Sequence, residues 1–132
     1  MALLDDIGAA LVAAGLVNGG TGWTLLKSRD VDEVTGVAEK TVTVYEFGGD
    51  NPEPRWAIDY PNFQVRVRGA RNGYSAARDQ MQAVFNALHE QEAAVGAAYV
   101  YVYGLGGVIP LGYDANTRPV LVQNFRVMKD RA

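Results

Sequence analysis

Too few residues in this chain are suited to catalysis or metal binding to form a complete site. His89 is the only histidine and there is no cysteine, so a zinc site, a thiol nucleophile and a serine–histidine–aspartate triad all lack essential parts. Asp30, Asp32 and Glu33 resemble the start of a calcium-binding loop, but the oxygen donor and the glycine that should follow are missing. We therefore expect no catalytic activity and no bound metal or cofactor.

A glycine-rich stretch, Gly104-Leu105-Gly106-Gly107, resembles half of a phosphate-binding loop. It has no lysine, and the Val108-Ile109-Pro110 segment directly after it cannot begin the helix that such a loop opens. The stretch therefore predicts a β-bulge or a turn that interrupts a strand, not a nucleotide site.

Two sets of side chains stand out because each alternates along a predicted strand. Gln64, Arg66 and Arg68 share one strand face, where neighbouring like charges are unfavourable unless they meet solvent or acidic partners. This stripe fits either a solvated sheet face or a contact with another subunit or a partner. The second set fits either an interface or packing beneath a helix or loop, and it consists of Tyr99, Tyr101 and Tyr103.

The segment from Gly48 to Pro61 contains three of the five prolines. It predicts an extended, irregular loop that is stiff, because each proline fixes its own φ and restricts the residue before it. A stiff segment loses little entropy on docking, so its large apolar side chains are candidate anchors of a subunit contact. The alternative is that Trp56 seals the edge of its own subunit's core. The candidate anchors are Trp56, Ile58 and Tyr60.

The arginines of the stripe would have acidic partners in such a contact. Arg66 and Arg68 of one copy would meet acids such as Asp59 or Glu53 of a neighbour. Charge pairs of this kind would fix the register of the contact more than they would strengthen it.

The composition predicts one globular domain that spans residues 1–132. The chain is 48% hydrophobic and 20% charged, with a formal net charge of −3, which is unlike a disordered chain and gives no support to a nucleic-acid binder. No apolar run approaches the roughly 18 residues that span a bilayer. Because Asp5 and Asp6 stand where a signal peptide would be apolar, we expect a soluble chain that is not exported and does not contact a membrane.

Hydrophobic periodicity predicts two helices, at about residues 3–16 and 73–90. Strand patterns occur at 22–27, 41–47, 63–69, 98–103, 108–111 and 120–128. Because the strands are joined by short turns or by one helix, this order predicts an α+β fold with a mainly antiparallel sheet and two helices packed on one face. The predicted core consists of Val42, Val44, Phe63, Val65, Val67, Met81, Phe85 and Leu88.

The succession of several short motifs resembles a known family. A Gly48-Gly49 turn and a proline-containing loop precede Gln64-Val65-Arg66-Val67-Arg68-Gly69, and further downstream come Pro110-Leu111-Gly112-Tyr113-Asp114 and Asn124-Phe125-Arg126-Val127. Over most of the chain this order resembles the minor capsid, or tail terminator (tail completion), proteins of long-tailed bacteriophages. That family often has a glycine in the turn where this chain has Asn116-Thr117, and the segment 28–40 matches nothing in it.

The resemblance implies a structural virion protein, not an enzyme, that assembles in the host cytoplasm and lies at the head–tail junction. It implies a homo-oligomeric ring, commonly a hexamer, that caps the finished tail tube, stops its polymerisation and offers a surface for joining the head. The implied partners are the chain itself, the tail tube protein and a head-completion or neck protein. Genomic DNA would pass through the ring lumen without sequence-specific recognition.

Three other interpretations compete with this one. A head-completion or neck connector protein is equally small and ring-forming, but it would bind the portal or connector and not the tail tube. A small ligand-binding or enzymatic α+β domain requires a concave pocket with convergent polar groups. A nucleic-acid binder would show a salt-dependent affinity for DNA and would combine the tyrosines with Arg66, Arg68, Arg71 and Arg126.

Overall fold

The structure, a computed structural model, describes residues 3–27, 40–53, 58–89, 91–95 and 98–130. Along the chain its elements are α1 (Leu3–Ala13), β1 (Thr24–Lys27), β2 (Thr41–Glu53), β3 (Ile58–Arg68), α2 (Tyr74–Leu88), β4 (Gln91–Val95), β5 (Ala98–Tyr113) and β6 (Pro119–Asp130). The strands form one six-stranded sheet in the order β1-β2-β3-β6-β5-β4. Only the β1–β2 pair is parallel, so the predicted α+β class with a mainly antiparallel sheet is confirmed.

One buried cluster joins both helices to the sheet. Helix α2 packs over β3, β5 and β6, and α1 contacts β1 and β2. In α2 the buried residues recur at spacings of four and three and so form one face of the helix. They are Ala77, Met81, Val84 and Leu88. The predicted core is confirmed for all its residues except Phe85, which is half-buried at the margin of the cluster.

The predicted register of β3 is also confirmed. Phe63, Val65 and Val67 are fully buried beneath the helices, and the Phe63 ring stacks on Phe125 of β6 with the ring centroids 5.0 Å apart. Because side chains alternate along a strand, Gln64 and Arg66 lie on the opposite face of the sheet, which we call the outer face.

Helix α1 ends at Ala13, three residues before the predicted end. Gly15 has a φ of +74°, a left-handed conformation that commonly stops a helix. The N–H of Leu16 donates to the carbonyl of Leu11 at 3.1 Å, which closes the last turn. Val17 nevertheless belongs to the buried core, so the apolar pattern continues past the helix itself.

The prediction of an irregular loop from Gly48 to Pro61 is wrong over the described part of that segment. β2 and β3 continue through it as an antiparallel pair, with Asp50 opposite Tyr60 and Glu53 opposite Ile58. Two register shifts follow Phe47, and such irregularities accommodate glycine and proline within a strand pair. Pro61 lies at the first of these shifts, where its missing N–H interrupts the least pairing.

β5 is one long strand, whereas the sequence predicted two short ones. The predicted bulge is present: β5 takes four residue steps from Leu105 to Ile109 while β6 takes two from Asn124 to Val122. β4 was not predicted at all. It pairs antiparallel with the first part of β5 and forms that edge of the sheet.

The turn between β5 and β6 is closed by Asp114. Its carboxylate accepts the backbone N–H groups of Asn116 and Arg118, and it forms a 2.8 Å ion pair with the Arg118 guanidinium. Partial burial alone would raise the pKa of Asp114, but the hydrogen bonds from the Arg118 and Asn116 backbone and the Arg118 charge outweigh it and lower that pKa below its ordinary value of 3.8. Thr117 in the same turn has a φ of +59°, which is unusual for a β-branched residue.

Candidate assembly surface

The outer face of the sheet has a buried end and an open end. Thr41, Thr43, Arg68 and Val122 are buried in the isolated chain, and Arg68 is only 5% exposed. Toward the other end the outward side chains are half-buried or exposed, apart from Asn62, which is 6% exposed. We call this second part the open half-face, and it consists of Tyr45, Phe47, Gln64, Asn124, Arg126, Tyr101, Tyr103 and Met128.

The composition of the open half-face is that of a protein interface. Tyrosine, phenylalanine, methionine and arginine are the residue types enriched where proteins meet. Phe47 is 43% exposed and Met128 is 37% exposed, although large apolar side chains gain free energy by leaving water. The surface is therefore better suited to burial against a partner than to permanent contact with solvent.

Polar contacts across the strands hold this surface in place. The Gln64 amide donates to Asn124 Oδ1 at 2.9 Å, and Arg126 Nε donates to Asn62 Oδ1 at 3.2 Å. The rings of Tyr101 and Tyr103 have centroids 5.9 Å apart. Side chains fixed in this way lose less conformational entropy when a partner binds.

Arg66 lies where the open half-face meets the buried end. Its guanidinium carbon is 5.4 Å from the centroid of the Tyr45 ring, within the range of a cation–π interaction. Its Nε is shielded from solvent and has no hydrogen-bond acceptor among the described residues. A buried donor without an acceptor is unfavourable, so this position carries a local energetic cost in the isolated chain.

The structure brings together two features that the sequence presented separately. Tyr103 lies opposite Arg126, and Arg126 lies opposite Asn62, two residues before Gln64 in β3. The arginine stripe and the tyrosine series therefore share the outer face. Arg68 does not share the open end, because it is buried within its own chain.

The remaining predicted site residues lie near the start of β3 and of β5. Asp59 and Tyr60 are half-buried, with Asp59 opposite Lys129 and Tyr60 opposite Asp50. Ile58 is the first residue of β3, and Tyr99 lies in β5. Trp56 lies outside the described residues.

Sequence reasoning did not select Tyr45, Phe47, Asn62 or Met128 as site residues. Alternation already placed Tyr45 and Phe47 on the strand face away from Val42 and Val44, so a signal for those two was available. No such signal indicated that Asn62 and Met128 belong to the same surface, because alternation within one strand does not reveal which strands lie side by side.

His89 has a structural role in the fold. Its Nδ1 accepts the backbone N–H of Gly104 at 2.9 Å, and its ring stacks on Phe85 with centroids 4.6 Å apart. In the part of the chain that the structure describes, no three side chains of the metal-binding types cluster together. None of the described helices is long and apolar enough to cross a membrane.

A small cavity of about 130 Å³ lies between α2 and the bulge of β5. Beside it, Gln123 Nε2 donates to the carbonyls of Gly106 and Asn124, while its buried Oε1 has no donor among the described residues. The cavity wall contains one charged side chain and no carboxylate, so it offers no acid–base pair to a substrate. It is lined by Arg78, Gln82, Phe85, Gly106, Gly107, Val108 and Gln123.

Comparison with known proteins gives one family and one fold. The sequence model of a family described as "Bacteriophage tail terminator protein" matches residues 29–131, which is well over half of the chain. A chain from a structure titled "Virion of native gene transfer agent (GTA) particle" has a similar fold, with a TM-score of 0.74 and 18% identity, over 97% of this chain and 94% of that chain. No curated protein matches the sequence.

Proposed function

The chain belongs to the bacteriophage tail terminator protein family, and from that premise we propose that its copies form a ring that caps the tail tube. The ring stops polymerisation of the tube and presents the surface to which the head is joined. The observation that carries this proposal is the match of the family model over residues 29–131. The role is structural and not catalytic, and its place is the virion, at the head–tail junction.

A ring of identical subunits needs two different patches on each copy, because one patch meets the other on the next subunit. The open half-face, with its half-buried and exposed aromatic side chains, supplies one of them together with Arg66 at its margin. The β2–β3 hairpin supplies residues beside it. The contact residues proposed from the sequence are Trp56, Ile58, Asp59, Tyr60, Arg66, Arg68, Tyr99, Tyr101 and Tyr103, but Arg68 is buried in the isolated chain and is left out of the contact.

The partners that follow are the chain itself, the tail tube protein and a head-completion or neck protein. We propose a hexamer as the assembled state. Genomic DNA passes through the lumen without base-specific contacts, in keeping with the acidic net charge of −3.

Mass photometry over a concentration series, with and without tail tubes, tests this function. We expect closed rings at high concentration or on the tube ends, and tubes of limited length once the chain is added. A chain that stays monomeric and never associates with tubes would overturn the proposal. Binding to isolated portal or connector particles in place of tubes would favour a neck protein instead.

Substitution of Trp56 separates the two roles that the sequence allows for it. If the β2–β3 hairpin is an interface arm, Trp56→Ala abolishes ring formation and tail capping and leaves the monomer folded. If Trp56 seals its own core, the same change lowers the melting temperature, because truncating a buried tryptophan costs about 3–5 kcal/mol. A folded variant that assembles normally would contradict both roles.

A further inference from the structure

The exposed face of helix α1 has an unusual composition for a face in contact with water. Asp5, Ala9, Val12 and Ala13 are exposed, and Val12 is 45% exposed. Outward helix faces are normally charged or polar, yet α1 carries only two polar residues, both acids in its first turn, and no basic residue in its last. The helix thus presents small apolar side chains with negative charge at one end.

The open half-face has the complementary composition. Its side chains are large, aromatic and cationic, and the outward positions of 41–47, 62–68 and 120–126 include no carboxylate. Large side chains on one surface pack closely against small ones on the other. The charge of Arg66 is likewise matched by the acidic end of α1.

We propose that α1 of one copy packs across the open half-face of a second copy, with Asp6 beside Arg66. This inference rests on the ring assembly proposed above. It identifies the two different patches through which neighbouring copies would meet. The dimensions agree: 11 helical residues extend about 16 Å, and Arg66 lies about 13 Å along the strands from Asn62, the residue opposite Phe47. Such a contact is heterologous, as a ring requires.

Asp6 is the acid that this contact uses. Asp5 already pairs with Lys27 of its own chain at 2.8 Å, whereas Asp6 is half-buried and forms no ion pair with the described residues. Packing against the second copy also covers the half-buried Arg66, whose guanidinium is held over the Tyr45 ring.

Cross-linking between two differently tagged copies tests the proximity directly. Because the chain has no cysteine, Val12→Cys in one copy and Phe47→Cys in the other are the only thiols present, and a short bismaleimide reports their separation. We expect a cross-linked Val12→Cys with Phe47→Cys pair in assembled rings. Ala76→Cys, at an exposed position of α2, is the matched control and should not cross-link to Phe47→Cys.

The outcomes separate this contact from the proposed function. Rings that contain both variants but lack the Val12→Cys with Phe47→Cys product would overturn the contact and leave the ring intact. Predominant linking of Val12→Cys to itself would show a symmetric contact and overturn it as well. Absence of both rings and product would overturn both proposals.

Charge exchange tests the Asp6–Arg66 pair. We expect Arg66→Glu and Asp6→Arg each to raise the concentration needed for ring formation about tenfold, and the double variant to return to within about threefold of the wild type. Arg71→Glu, at an exposed position of the loop before α2, is the control and should leave assembly unchanged. A double variant as weak as the two single changes combined would contradict the pair.

Discussion

Strand β3 presents Phe63, Val65 and Val67 to the helices and Gln64 and Arg66 to the outer face. The inward side chains are fully buried within one chain. The outward set is partly exposed, and Arg66 has a shielded donor without an acceptor. The inward face is packed within one chain, whereas the outward face leaves Phe47 and Met128 exposed, as the proposed subunit contact would require. Stability and assembly should therefore respond to substitutions on opposite faces of the same strands.

The largest loss of stability is expected on the inward face. Phe63→Ala removes a fully buried ring that stacks on Phe125 at 5.0 Å, so the free energy of unfolding should fall by about 3–5 kcal/mol. Urea denaturation measures the change. A fall below about 1 kcal/mol would show that the inward face is not the main source of stability.

The next largest loss of stability is expected for Gly104→Ala, because the added side chain would collide with the Phe85 ring. A Cβ on Gly104 would lie 2.5 Å from Cε2 of Phe85, whose ring is held against His89. We expect Gly104→Ala to lower the free energy of unfolding by about 1–3 kcal/mol. Gly107→Ala, in the same strand and with no atom near its Cβ, should change it by less than about 0.5 kcal/mol; equal losses would contradict the packing argument.

Thr117→Gly should stabilise the chain, because it relieves an unfavourable backbone conformation in the β5–β6 turn, away from both faces of the sheet. Thr117 has a φ of +59°, a conformation that costs a β-branched residue about 1–2 kcal/mol and glycine little. Thermal denaturation should show a gain of about 1 kcal/mol. The neighbouring Asn116→Gly change, at a position without positive φ, should give no gain.

The ion pair of the β5–β6 turn predicts a small, pH-dependent effect. Because the folded-state pKa of Asp114 is lowered, its contribution is present above the unfolded-state value and is lost as the pH falls through the folded-state value. Asp114→Asn should lower the free energy of unfolding by up to about 1 kcal/mol at pH 7. The difference from wild type should shrink below pH 3.8. A difference independent of pH would exclude the carboxylate charge as its cause.

The smallest change in stability is expected for Phe47→Ala on the outer face. It removes the same side chain as Phe63→Ala, but Phe47 is 43% exposed in the isolated chain, so the loss should stay below about 1 kcal/mol. The same variant should clearly weaken ring formation in mass photometry. A large loss of monomer stability would remove the contrast between the two faces.

The regular part of the sheet could be predicted because its alternation is uninterrupted. Val42, Val44, Phe63, Val65 and Val67 repeat every second position, and a register error would have moved all of them to the wrong face. The outer face was predicted only as two separate stripes, because the pairing of β3 with β6 and of β6 with β5 joins residues about 60 and 20 positions apart.

Two of the errors concern places where glycine or proline occurs within a strand. Gly48, Gly49 and Pro52 predict the end of β2, and Gly106 and Gly107 predict a break in β5. In both cases the strand continues, and the irregularity is confined to register shifts that local sequence signals do not distinguish from a loop.

The lengths of the edge strands limit the ways in which the protein can aggregate. β1 and β4 at the two edges have four and five residues, so each exposes few backbone groups to a foreign strand. Beyond β4, β5 continues without another neighbour in the described part of the sheet, and there Pro110 and the bulges break the hydrogen-bonding pattern. The short edge strands and these interruptions therefore disfavour fibre growth by strand addition.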